Sequence, residues 1–181
     1  MKIAITGHSS GLGAELKTAY EKDGHEVTGF SRRTGYDLRD WSRMQAMLDK
    51  IQDYDMFISS AKPDFVQTST LYQLWERWRG QDKCIINISS ILTYYPTCPN
   101  DIFLDPYMDL YRTAKVSLND ASAQLTFKSK LPHIVLVKPV HLYSSPITAT
   151  EQQKLTLWVN TFKDIMKLTQ QNKFNLLEVS F

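Results

Sequence analysis

The stretch Lys2-Ile-Ala-Ile-Thr-Gly-His-Ser-Ser-Gly-Leu-Gly13, followed by Ala14-Glu-Leu-Lys-Thr-Ala-Tyr20 at helical spacing, decides the fold. Residues 3–5 read as a short apolar strand, and glycines follow at 7, 11 and 13. Each glycine has its own task. Gly7 permits the tight turn off the strand, Gly11 lets backbone approach a pyrophosphate, and Gly13 lets the helix pack against the sheet. The N–H groups and dipole at the start of that helix attract an anion. Strand, glycine turn and helix in this order predict a dinucleotide loop, with Gly7, Ser9, Ser10, Gly11, Leu12 and Gly13 as its contacts.

Outward from this loop, strand and helix alternate almost to the end. Strands are expected at 26–30, 55–59, 83–89, 133–137 and 175–180, and helices at 41–51, 71–78, 106–128 and 150–171. Apolar residues at 41, 44, 47, 48 and 51 form one helix face, and Asp105-Pro106 reads as a cap with proline at the first helical position. The helix it opens repeats small or apolar residues at 107, 111, 114, 118, 121 and 125. Such alternation predicts an α/β protein: one doubly wound parallel sheet, covered by helices on both faces, in a single domain over 1–181.

The chain has 181 residues and a formal net charge of +2 with both signs interspersed. No basic field points to nucleic acid or a membrane surface. Cys84 and Cys98 have no metal or redox spacing, and Cys84 in its apolar run reads as a buried thiol suited to a reducing cytosol. No metal is expected. No apolar stretch approaches membrane-spanning length, and the chain begins in a strand rather than a signal peptide, so a soluble cytoplasmic protein is expected.

The spacing Thr6-Gly7-x-x-x-Gly11-x-Gly13 resembles the short-chain dehydrogenase/reductase family, in its compact one-domain branch. The resemblance implies a Rossmann-type sheet and hydride transfer between NAD(P) and a carbonyl or alcohol. Cofactor choice is read after the second strand. An NAD-selecting protein usually places a carboxylate about twenty positions beyond the glycines. This chain places Ser31-Arg32-Arg33 there, whose guanidiniums offer forked donors to a 2′-phosphate. NADP(H) is the preferred cofactor, with NAD(H) the alternative. Asp37 on the same loop, Ala61 and Lys62 after the next strand, and Pro139 and Val140 after residues 133–137 complete the expected cofactor contacts.

Tyr111-Arg-Thr-Ala-Lys115 is the only Tyr-x-x-x-Lys in the chain, and it lies on the helix that follows the strand ending Asn87-Ile-Ser-Ser90. Four residues apart on a helix, the two side chains share one face. A cationic Lys115 at ~4 Å would favour tyrosinate by ~4 kcal/mol at an effective dielectric near 20, or roughly three pKa units. Ser90 would hydrogen-bond the substrate oxygen as charge develops. By the family's pattern Ser90, Tyr111 and Lys115 are the catalytic set, Lys115 also holds the nicotinamide ribose, and the serine is Ser90 rather than Ser89.

The chain departs from that pattern in several places. Where members have Asn-Asn-Ala-Gly after the fourth strand, it has Ser59-Ser-Ala-Lys62, and residues 64–82 contain no asparagine to match the family's proton-relay residue. Pro139-Val140 stands for Pro-Gly after the sixth strand; His141 follows, and Ser144 or Ser145 stands where a threonine holds the nicotinamide amide. The long interval from Ser90 to Tyr111, with Tyr94, Pro96, Pro99 and Asp105-Pro106, resembles the insert of the extended, sugar-nucleotide branch. Tyr94, Tyr95, Phe103 and Tyr107 could form a substrate wall there. Three classes remain open: an NADPH-dependent carbonyl reductase, a non-catalytic NADP(H)-binding module, and a sugar-nucleotide enzyme. The resemblance also implies a homodimer through the helices near 69–79 and 106–128. An exposed apolar surplus at Leu71, Trp75 and Trp78 would support it.

Overall fold

The strands are near-continuous apolar runs because helices cover both of their faces. The computed structural model describes residues 1–61, 64–95, 106–139, 148–172 and 176–180. Its strands are β1 (Lys2–Thr6), β2 (Glu26–Phe30), β3 (Met56–Ser59), β4 (Cys84–Ile88), β5 (His133–Lys138) and β6 (Leu176–Ser180). They form one parallel sheet in the order β2-β1-β3-β4-β5-β6. Five helices connect them: α1 (Gly11–Lys22), α2 (Trp41–Lys50), α3 (Val66–Trp78), α4 (Pro106–Lys128) and α5 (Ala149–Asn172).

The period of two along each strand builds two cores. Ile3, Ile5, Ile58, Ile86 and Val137 point to the side where Leu16 of α1 and Phe162 of α5 pack. Ala4, Phe57, Ile85 and Ile134 point the other way, against Met44, Leu48, Trp75, Trp78, Leu118 and Leu125 of α2, α3 and α4. The doubly wound α/β reading is the observed architecture, with one difference. Between β2 and β3 the chain forms a 3₁₀ turn (Arg32–Thr34) and α2, with no strand beyond β2. Compared with the usual order 3-2-1-4-5-6, the sheet lacks strand 3 at one edge and carries one more strand, β6, at the other. The strands counted by resemblance as fourth and sixth are therefore β3 and β5.

Several expectations about helix faces are corrected. Trp41 opens α2 but is 59% exposed, because the first turn overhangs the sheet. Tyr107, expected on the inner face of α4, is likewise exposed, whereas Ala114, Leu118, Ala121 and Leu125 are buried. Helix α3 starts earlier than expected, at Val66, and its buried residues Gln67, Thr70, Leu71, Leu74, Trp75 and Trp78 form one stripe at helical spacing. Leu71, Trp75 and Trp78 are thus inside a single chain, at 1%, 4% and 0% exposure, and the apolar surplus offered in support of a homodimer does not exist.

Trp78 is fully buried, and its indole Nε1 has no hydrogen-bond partner. Its volume is needed but its N–H is a cost. Trp78→Ala should lose about 3–5 kcal/mol in urea unfolding, whereas Trp78→Phe should lose far less than that, because it removes the orphaned donor along with part of the ring.

Candidate functional site

A cavity of about 570 Å³ opens at the carboxyl ends of the strands, beside the point where strand order reverses between β1 and β3. Its floor is the glycine loop. Gly7 has a φ of 73° and donates its N–H to the Phe30 carbonyl at 3.0 Å, tying the turn to the end of β2. The Thr6 hydroxyl oxygen accepts from the Ser60 and Ala61 amides at 3.1 and 3.3 Å, tying the same turn to the end of β3. A Cβ on Gly7 would lie 2.9 Å from the Ala61 nitrogen, and one on Gly13 would collide with the Gly7 carbonyl. The His8 ring covers Gly29 of β2, where a Cβ would overlap the imidazole.

At the N-terminus of α1, Ser10 does not cap the helix with its side chain, and no acidic residue occupies the first turn. Backbone without side chains, next to a helix N-terminus, fits a pyrophosphate. Ser9, Ser10, Leu12 and Gly13 line the cavity with Gly7. Gly11 begins α1 with a φ of 54°.

One end of the cavity is basic. Ser31, Arg32, Arg33, Asp37 and Ala61 line the cavity, together with Arg39, which sequence reading did not name. Arg39 grips Asp37 by Nε to Oδ1 at 3.2 Å and Nη2 to Oδ2 at 3.0 Å. The side-chain contact, helped by the Arg39 amide, holds the Asp37 carboxyl below the usual carboxylate range. The Asp-x-Arg spacing was the available signal. Both side chains are exposed, so the pair acts on local geometry more than on stability.

The other end gathers Ser90, Tyr111, Lys115 and Pro139. The hydroxyl of Ser89 turns away and donates to Asn119 of α4 at 2.6 Å. Ser90 Oγ accepts from the Leu92 amide at 3.2 Å, and its hydroxyl lies close enough to Tyr111 to pull the phenol's pKa down. Lys115 is 3% exposed and donates to Gln67 Oε1 at 2.5 Å and to the Ile88 carbonyl at 2.6 Å, while its Nζ stands 5.3 Å from the centroid of the Tyr111 ring. The expected depression of the tyrosine pKa by Lys115 is corrected here. Burial dominates and holds Tyr111 above the ordinary phenol range, with Ser90 opposing and Tyr107 adding to the rise. The ammonium faces Gln67 and a carbonyl and sits over the ring, so it does not overcome that cost.

The 3₁₀ turn after Ser90 (Ile91–Tyr94) is braced from two sides. Tyr94 donates to Glu178 Oε1 at 2.5 Å, and Lys138 pairs with the same oxygen at 2.6 Å with its Nζ 4.1 Å from the Tyr94 ring. Arg112 Nε donates to the Tyr95 carbonyl at 2.5 Å. Cys84 is buried, which pushes its thiol up to about 12, as an inert core cysteine requires. Lys62, Cys98, Phe103, Asp105, Val140, His141, Ser144 and Ser145 lie outside the described residues. Among the described residues no helix is long and apolar enough to cross a membrane, and no cluster of His, Cys, Asp or Glu could hold a metal.

No family model matches the sequence, and no curated protein does. Solved structures do. A short-chain dehydrogenase/reductase from Vibrio parahaemolyticus superposes with a TM-score of 0.76 at 14% identity, covering 98% of each chain. The fold is that of the short-chain dehydrogenases/reductases. A small-chain dehydrogenase in complex with NADPH shares it at TM-score 0.69 and 15% identity, over 99% of this chain and 96% of that one. A UDP-galactose 4-epimerase does so at 0.72 and 14%, over all of this chain but 77% of its own. At least 98% of this chain is covered in each of these three superpositions on the short-chain dehydrogenase fold.

The raised Tyr111 pKa has a defined sign. A neutral phenol favoured by the fold contributes stability below the unfolded value near 10, and that contribution is lost as pH rises through the folded value. The tyrosinate absorbance difference between wild type and Tyr111→Phe should therefore develop above the ordinary phenol range. Tyr111→Phe should also lose less stability than wild type on alkaline titration.

Proposed function

We propose that this chain is an oxidoreductase of the short-chain dehydrogenase/reductase family, NADP(H)-dependent, that moves hydride between nicotinamide and a small carbonyl or alcohol. One observation carries the reading: a single cavity runs from the glycine cradle and Ser31-Arg32-Arg33 to Ser90, Tyr111 and Lys115. The cofactor, when bound, supplies or accepts the hydride. The loop from Gly7 to Gly13 holds its pyrophosphate, and Arg32 and Arg33 hold a 2′-phosphate with charge-assisted hydrogen bonds. Ser90 orients the substrate oxygen, and Tyr111 Oη gives or takes the proton. A protonated phenol can donate to a developing alkoxide, and the phenolate left behind takes the proton back in the reverse reaction.

A second reading, a non-catalytic NADP(H)-binding protein, draws support from the same raised phenol and from the commitment of Lys115 to Gln67. Turnover of a carbonyl panel with NADPH, beside a binding titration, separates the two.

NADPH should bind at least tenfold more tightly than NADH, since a charge-assisted contact is worth ~1.5–3 kcal/mol, and Arg32→Asp should reverse the order. Equal affinities in wild type would remove the argument. Tyr111→Phe should abolish turnover and leave NADPH affinity within about twofold, because the phenol's work is in the transition state. Retained turnover would move the proton donor elsewhere.

A further inference from the structure

Residues 64–82 contain no asparagine, yet a buried amide from this segment reaches the catalytic lysine. Gln67, 5% exposed on the first turn of α3, accepts from Lys115 Nζ through Oε1 at 2.5 Å. Its amide cannot be turned the other way. Nε2 donates to the Ser59 carbonyl at 2.8 Å, to Ser59 Oγ at 3.2 Å and to the Ile88 carbonyl at 3.3 Å. A flipped amide would set N–H against the ammonium and an oxygen against two carbonyls, which is donor against donor and acceptor against acceptor. The ends of β3 and β4 therefore fix the amide, and the amide fixes the lysine.

Among the described residues, groups facing the ammonium come from three elements. Gln67 Oε1 approaches from α3, the Ile88 carbonyl from the end of β4, and the Tyr111 ring from one turn earlier on α4. Both named acceptors are neutral. A buried ammonium needs such partners, since leaving it short of one costs far more than a neutral hydrogen bond supplies. Ile88 O takes hydrogen bonds from Gln67 and Lys115 alike, and it lies two residues before Ser90, so one carbonyl joins the lysine, the amide and the serine-bearing strand end.

We propose that Gln67 is a positioning residue for Lys115, its amide oxygen holding the ammonium beside Tyr111 in a chain that lacks the relay asparagine. This rests on the oxidoreductase reading for its purpose but not for its geometry, and the test separates the two. Lysines labelled with carbon-13 at Cε report ionisation by NMR in the cofactor-free protein, and the Lys115 signal is the one absent from Lys115→Arg. Gln67→Met keeps the length and removes the acceptor; Gln67→Glu keeps the acceptor and removes the donor to Ser59.

The Lys115 midpoint should fall by a pH unit or more in Gln67→Met and rise in Gln67→Glu. If Gln67→Met does not fold, Gln67→Asn, which withdraws the oxygen by one methylene, should give a smaller fall. A Gln67 that only ties α3 to the strand ends would move the midpoint the same way in both isosteric variants, or leave it unmoved, and either result overturns the proposal. Wild-type turnover with NADPH is read separately. Opposite shifts in an inactive protein refute the oxidoreductase reading and support the lysine contact, whereas unmoved midpoints in an active protein do the reverse.

Discussion

Everything in this molecule depends on how the chain leaves β1. The strand is flanked by neighbours on both sides, so the turn after Thr6 must fit between the ends of β2 and β3. Gly7 meets that constraint by donating to Phe30 on one side and by having no side chain to strike Ala61 on the other. The Thr6 hydroxyl completes the lock by accepting two amides from the loop after β3. With the turn held, α1 starts at a fixed place, its N-terminus faces the cavity, and Gly13 can lie against the Gly7 carbonyl. The backbone cradle at the start of α1 is thus a by-product of solving a packing problem at the centre of the sheet.

The reactive half is built on a different principle. There, long polar side chains enter from helices and find backbone acceptors at strand ends. Lys115 and Gln67 come from α4 and α3, and both reach the Ile88 carbonyl. Burial gives these contacts their strength and also raises the phenol of Tyr111, so the same exclusion of water that steadies the lysine keeps the tyrosine protonated.

The two halves were unequally legible in the sequence. The glycine loop, the six strands and the two sheet faces could be read because they rest on local spacing: glycines at fixed intervals, apolar runs, residues recurring each helical turn. The Tyr111–Lys115 pair could be read for the same reason. Gln67 could not, because nothing near it in the chain announces a contact with a residue on another helix. Arg39 was hidden by its dependence on loop shape around Asp37. Trp75 and Trp78 were misread although Leu71, Trp75 and Trp78 stand at i, i+4 and i+7, a single helix face that packs inward. The absence of a strand beyond β2 was legible, because residues 31–54 offer a polar link and one helix face but no apolar run of strand length.

The imidazole of His8 lies across Gly29, so two positions far apart in the chain share one volume. Their histories are therefore linked, and the route between alternatives runs one way. A lineage can shrink residue 8 first and afterwards place a side chain on β2. The opposite order passes through a crowded intermediate in which the His8 ring must turn away. Change at this end of the cleft would thus begin in the glycine loop, with the strand able to follow only later.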